Sequence, residues 1–326
     1  MSSICAGHTH TCLVKAGKVF CWGDNQQMQT GQDSVPGDSL GVPVPMEVAG
    51  IPENVTTLSC GYEYTCVVLV DNRAMCWGGN AHAQLGTGVS SLTGFSTPQP
   101  VFDYNDVVDI VPGFFSTCVV RLIFSEKQTW CWGNNRSGQL GRGFSGGTYP
   151  QASRITPDYP GGIKAFAPGG NLAFCGIAEQ DSAAFCVGTG MAVLDTNGVL
   201  VVRYSLASVL GLTSNVRQIG MSVWARRACA VLNNGTAYCW GRYIDYCCIG
   251  DGSATENSFE PLRVDPTGNA DFVQIAVGQN TICAVRGATA GEVWCWGTDD
   301  VGGLGDGIGQ SPNALLPQRV ELIPIT

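Results

Sequence analysis

Sixteen cysteines and three histidines are the side chains best suited to chemistry in this chain of 326 residues. Twelve of the cysteines form six pairs: Cys12 with Cys21, Cys66 with Cys76, Cys118 with Cys131, Cys175 with Cys186, Cys229 with Cys239, and Cys283 with Cys295. Partners stand 9 to 13 residues apart, unlike the Cys-x-x-Cys of zinc ribbons, so the pattern favours disulfides over a metal. His8 and His10 could share one face of an extended segment, but no third ligand accompanies them, and neither a metal nor another cofactor is expected. No phosphate loop, nucleophile elbow or zinc-protease motif occurs, and acids such as Asp299 and Asp300 read as loop solubilisers. Nothing selects a catalytic pair, so the expectation is a protein without enzymatic activity.

The elements that hold the cysteines are short. Thr11–Val14 and Val19–Trp22 are β-rich runs around a tight turn at Lys15–Lys18, the signature of a hairpin. Centring that turn on Ala16 and Gly17 sets Cys12 opposite Cys21, and centring another on Asn234 sets Cys229 opposite Cys239. Opposed residues in antiparallel strands have Cα atoms roughly 4.5 to 5.5 Å apart, a separation that a disulfide spans. Six hairpin staples are therefore expected, each stabilising by roughly 2 to 3 kcal/mol in the chain-entropy account. Cys5 and Cys60 stand at nearly equivalent places in consecutive units, which predicts a bond between those units. Cys247 and Cys248 are adjacent, and a bond between them would need a strained eight-membered ring. So many disulfides point to an extracellular or secretory-lumen location. Met1–Gly7 lacks the basic and apolar regions of a signal peptide, so any such signal would lie upstream.

The first cysteines of the pairs recur at intervals of 52 to 57 residues. A period of this size marks a repeat architecture. The second cysteine opens Cys-Trp-Gly at Cys21, Cys76, Cys131, Cys239 and Cys295, and a decayed copy, Cys186-Val187-Gly188, stands where another is due. The two termini together complete one more period, so the chain reads as a closed circle of six units forming one domain over residues 1–326. Pro317–Val320 lies at one end and Ile4–Gly7 at the other, which predicts that one unit is completed by strands from both termini, a closure that removes an exposed sheet edge. High glycine and a charged content of only 13% favour an all-β protein over long solvated helices. A net charge of −9 disfavours nucleic acid and anionic membranes, and no apolar run reaches membrane-spanning length.

After Cys-Trp-Gly the chain continues Asn134-Asn135-Arg136-Ser137-Gly138-Gln139-Leu140-Gly141, and nearly the same pattern ends in Gln84-Leu85-Gly86. Ala6-Gly7-His8-Thr9 stands ahead of the first hairpin. Together these elements resemble the repeat of the regulator of chromosome condensation family across the whole chain. The resemblance implies a β-propeller with four-stranded blades around a central channel, here with six blades where the best-known members have seven. The paired cysteines are unlike the nuclear members and closer to secreted relatives, such as Cys-rich receptor ectodomains or the bacterial propeller that inhibits β-lactamases. Guanine-nucleotide exchange is accordingly not carried over.

The recurring Trp22, Trp77, Trp132, Trp240 and Trp296 read as blade packing, because a sugar-stacking ladder would not need one fixed repeat position. Positions that differ between repeats are more informative. After the Ala-Gly element they include His8, Tyr62, Tyr64, Phe114, Phe115, Trp224, Arg226 and Arg227, a set suited to a binding face for a protein or a glycan. Glycosylation sequons stand at Asn54, Asn135 and Asn234, about as many as chance supplies. The expected function is a non-catalytic extracellular binding or structural module without cofactors, part of a larger extracellular chain or assembly. The competing readings are a secreted enzyme inhibitor and a propeller hydrolase or lyase acting on polysaccharide.

Overall fold

The computed structural model describes residues 3–33, 41–52, 54–155, 162–167, 170, 172–194, 200–222, 227–242, 249–253, 257–266, 268, 271–278, 281–287, 292–298, 304 and 313–320. Among these, all long regular elements are strands, and they form six four-stranded antiparallel sheets. The chain divides into two compact units, Met1–Ile163 and Lys164–Thr326.

In the first unit, blade I contains β1 (Ser3–Ala6), β2 (His10–Lys15), β3 (Lys18–Gly23) and β4 (Val42–Glu47). Blade II contains β5 (Val55–Cys60), β6 (Tyr64–Leu69), β7 (Ala74–Asn80) and β8 (Ser91–Pro100). Blade III contains β9 (Val107–Pro112), β10 (Ser116–Ile123), β11 (Glu126–Asn134) and β12 (Thr148–Arg154). In the second unit, blade IV contains β13 (Ile163–Ala167), β14 (Ala173–Ala178), β15 (Ala184–Leu194) and β16 (Leu200–Ser208). Blade V contains β17 (Val216–Met221), β18 (Arg227–Leu232), β19 (Ala237–Arg242) and β20 (Asn257–Arg263). Blade VI contains β21 (Phe272–Val277), β22 (Thr281–Arg286), β23 (Glu292–Gly297) and β24 (Ala314–Arg319).

Each blade is continuous in sequence, which corrects the expectation of a blade shared between the termini. β1 pairs with β2 at the N-terminal end, while Arg319 and Gln318 pair with Trp294 and Cys295 at the other. The reason is that the Pro-x-x-Val segment closes the blade it follows. The apolar strand after it opens the next blade, so the boundary falls between two elements that the repeat pattern had joined.

Cys-Trp-Gly has three separable jobs. Its cysteine lies directly opposite the first cysteine of the hairpin in all six blades, and all six predicted hairpin disulfides are formed. Cys5–Cys60 is formed as well, tying β1 to β5. Cys247 and Cys248 lie outside the described residues. The glycine occupies a register shift between the third and fourth strands and has positive φ in every blade, as at Gly133 with φ of 102°. A Cβ on Gly133 would sit 2.6 Å from the Phe115 carbonyl oxygen, so the bulge admits only glycine without movement of the preceding loop.

The tryptophan joins blades. Trp77 donates to the Gln29 carbonyl at 3.1 Å, Trp132 to Gln84 at 3.0 Å, and Trp296 to Ile249 at 3.0 Å. Each acceptor lies in the turn after the Cys-Trp-Gly of the preceding blade. That turn is braced from within: the side chains of Asn25, Asn80 and Asn135 accept from the backbone N–H of Thr30, Leu85 and Leu140, and the Gln29, Gln84 and Gln139 side chains accept from Gln27, His82 and Ser137. These bonds present a carbonyl to the next indole in a fixed direction.

Candidate functional site

The Ala-Gly loops carry the repeat-variable residues. Each closes on itself by a backbone bond, Gly7 to the His10 carbonyl, Gly61 to Tyr64 and Gly113 to Ser116, at 2.8 to 2.9 Å. Neighbouring loops are also tied together: the His8 N–H donates to the Tyr62 carbonyl at 3.2 Å and the Tyr62 N–H to Gly113 at 3.0 Å. This spacing brings corresponding side chains of three blades into register.

They form a continuous aromatic ladder. His8 stacks on Tyr62 with ring centroids 4.3 Å apart, and Tyr62 stacks on Phe114 at 3.7 Å. Phe115 meets Phe114 edge-on at 4.4 Å and lies 5.9 Å from Tyr62. His82 adds a fifth ring 4.4 Å from Phe115. His8 is exposed, Tyr62, Phe115 and His82 are half-buried, and Phe114 is buried beneath the stack. His82 was not among the expected residues because it comes from the turn after Cys-Trp-Gly, and nothing in the repeat offset connects that turn to the Ala-Gly loops.

Other expected members do not join this surface. Tyr64 is fully buried; its hydroxyl donates to the Ser116 carbonyl at 2.8 Å and accepts from the Gly113 N–H at 2.9 Å. It turns inward because its ring packs on Gly61, where a Cβ would collide with it. Arg227 is also buried, as the first residue of β18. Trp224 and Arg226 lie outside the described residues. Of the sequons, Asn54 and Asn234 are exposed, whereas Asn135 is fully buried, its amide donating to the Phe144 carbonyl and its oxygen accepting from Leu140. A glycan at Asn135 is incompatible with the braced turn, which corrects that assignment.

Beneath the ladder, His10 occupies in blade I the place that Tyr64 holds in blade II. The Thr65 hydroxyl donates to the Gln29 carbonyl at 3.0 Å, so toward His10 Nε2, 2.9 Å away, it can only accept. Donor counting therefore puts the imidazole proton on Nε2 and leaves Nδ1 buried without a hydrogen-bond partner. Burial lowers the His10 pKa to about 4, against a smaller opposing effect of Asp24. His10, Cys12 and Cys60 have potential ligand atoms within 4.8 Å of one another. Both sulfurs are held in disulfides, so this cluster offers no thiolate pair to a metal.

Charge is distributed unevenly along the ladder. Asp24 follows Cys-Trp-Gly of blade I, and its carboxylate accepts from the Thr9 hydroxyl, the Gln29 amide and the Gln26 N–H, each at 3.1 Å. Glu63 neighbours Tyr62; burial raises its pKa, the charge of Asp24 raises it further, and His8 partly offsets both. At the other end, burial and the charge of Arg136 lower the pKa of His82.

Family comparison agrees with the repeat geometry. A family model described as the Regulator of chromosome condensation (RCC1) repeat matches residues 16–68, and a second of the same description matches residues 1–29 and 55–84. Residues 1–84 thus match the RCC1 repeat. The chain is 29% identical over 140 residues to "RCC1 domain-containing protein RUG3, mitochondrial" of Arabidopsis thaliana, covering 42% of this chain and 29% of that protein. It is 29% identical over 182 residues to the human "Probable E3 ubiquitin-protein ligase HERC6", covering 52% of this chain and 17% of the relative. It thus spans less than a third of either relative. Among solved structures, human WBSCR16 superposes with a TM-score of 0.80 at 19% identity over 99% of this chain and 82% of that one. The structure of Kap60 bound to yeast RCC1 (Prp20) gives 0.78 at 19% identity, over 99% and 75%. The likeness shows the fold, an all-β propeller of six blades.

Proposed function

We propose that this RCC1-repeat protein is a non-catalytic protein-binding module of an oxidising, extracellular-type compartment, and that it meets its partner through the ladder of His8, Tyr62, Phe114, Phe115 and His82. The observation that carries the reading is the continuity of that ladder across three blades. Aromatics grouped on one partly exposed face are characteristic of interaction surfaces. A protein fits better than a glycan. Sugars stack on ring faces, whereas Tyr62 has one face covered by His8 and the other by Phe114, leaving mainly ring edges for a partner. Seven described disulfides support the oxidising compartment. The yeast relative, in a structure described by its binding properties to Gsp1p and histones, offers a precedent for protein binding by this fold.

The test is differential capture from secreted proteins by the wild-type protein and by Tyr62→Ala and Phe115→Ala, with thermal melts run alongside. A partner retained by the wild type and lost by both variants at unchanged melting temperature supports the reading. Partners held equally by all three proteins would place the interface elsewhere. Turnover of a polysaccharide by the pure protein would overturn the non-catalytic part.

A further inference from the structure

We infer that the blade I end of the ladder selects a cationic side chain, so that the partner presents a basic peptide segment anchored by arginine or lysine. This rests on the ladder being the binding face and adds the chemistry of its occupant. Asp24 and Glu63 supply the argument. Neutral groups hold the Asp24 carboxylate in place: the Thr9 hydroxyl, the Gln29 amide and the Gln26 N–H. The backbone of Glu63 is fixed where its carbonyl accepts from the Gly79 N–H at 2.9 Å.

Among the described residues, no lysine or arginine pairs with either carboxylate. Ion pairs elsewhere include Lys18 with Glu47, Arg73 with Asp71, Arg121 with Asp106, Arg286 with Asp265 and Asp271, and Arg319 with Glu292. Thr9, whose hydroxyl holds Asp24, adjoins His8, and Glu63 adjoins Tyr62, so both acids border the half-buried aromatic surface; the charge of Asp24 raises the Glu63 pKa and His8 lowers it. A carboxylate held by neutral donors beside a second acid, with no countercharge among the described residues, is the arrangement that an incoming guanidinium or ammonium relieves. The net charge of −9 adds long-range attraction for such a segment.

The rings contribute in a different way. The outer side of His8 carries no partner ring among the described contacts, and a planar guanidinium can lie against it while bonding to a carboxylate. Arg136 at the far end gives the ladder a polarity, negative at blade I and positive beyond His82. A basic segment is thus drawn to one end rather than spread over the face.

A displayed library of twelve-residue peptides selected on the intact protein tests this. Basic peptides should be enriched, and resynthesis with citrulline in place of arginine should weaken binding about tenfold or more, as expected for loss of a charged hydrogen bond. Glu63→Gln and Asp24→Asn should each weaken the arginine peptide while leaving the citrulline version unchanged, and raised salt should act in the same direction. Arg136→Ala should not weaken it. Failure to enrich basic peptides overturns the inference. So does binding that is lost in Tyr62→Ala yet indifferent to citrulline and to Glu63→Gln, an outcome that leaves the ladder as the binding face. Peptide binding indifferent to Tyr62→Ala and Phe115→Ala overturns the ladder itself.

Discussion

Blade joints of two kinds stand side by side in this molecule. Trp77, Trp132 and Trp296 each donate to a carbonyl in the turn of the preceding blade. Trp240 is as deeply buried, but its indole N–H has no acceptor among the described residues. The difference originates one blade earlier. Repeat IV lacks the Gly-Gln-Leu-Gly turn and instead runs through the long strands β15 and β16. Repeat IV has also lost its own tryptophan, and Val187 stands in its place while Phe166, Phe174 and Phe185 pack edge to face at 5.6 to 6.5 Å. Its disulfide and its glycine bulge remain. The cysteine pair and the glycine therefore maintain a blade, the tryptophan and the turn maintain a joint, and the second set can be lost while the first remains.

The comparison can be broken by mutation. Trp132→Ala empties a fully bonded joint and should destabilise the first unit by about 3 to 5 kcal/mol, read from urea unfolding. A loss near 1 kcal/mol would mean that the indole is not the joint's core.

Acid should separate the joint made by His10 from the one made by Tyr64. The folded pKa of His10, about 4, lies below its ordinary value of 6.5, so the unfolded state binds the extra proton. Stability from this group is complete above pH 6.5 and declines as pH falls toward 4, by up to about 3 kcal/mol. His10→Tyr, which copies blade II, should flatten the urea midpoint across that window; an unchanged slope would show that other groups dominate acid unfolding.

A finer contrast uses phenylalanine. Trp132→Phe and Trp240→Phe remove similar volume, but among the described residues only the first breaks a hydrogen bond, and it should cost about 1 kcal/mol more. Equal costs would mean that the Gln84 carbonyl contributes nothing to the joint. The smallest effect belongs to a pair outside any joint: Lys18→Met breaks an exposed ion pair with Glu47 and should change stability by less than about 0.5 kcal/mol in the same assay.

Much of the blade was legible in the residues. Cys12 opposite Cys21 and Cys229 opposite Cys239 follow from strand periodicity and turn position, which are local properties, and the bond from Cys5 to Cys60 follows from their equivalent places in consecutive repeats. The blade boundary was not, because a strand's pattern of apolar residues does not say which neighbour it pairs with. The ladder was legible only as a list of positions. Tyr62 and Tyr64 are two residues apart and alike in chemistry, yet one lies on the surface and the other is sealed beneath it. The bond from Gly61 to the Tyr64 carbonyl and the space over Gly61 decide between them. Asn135 shows the same limit, since its sequon is a local motif and its burial depends on the turn that its amide braces. The amino-acid sequence by itself determined the repeat, its hairpins and their disulfides, because each is set by backbone pairing within a few residues. Only the tertiary structure decided which rings stack, which histidine is neutral and which carboxylates lack a countercharge among the described residues, because those depend on what the neighbouring blade places within a few ångströms.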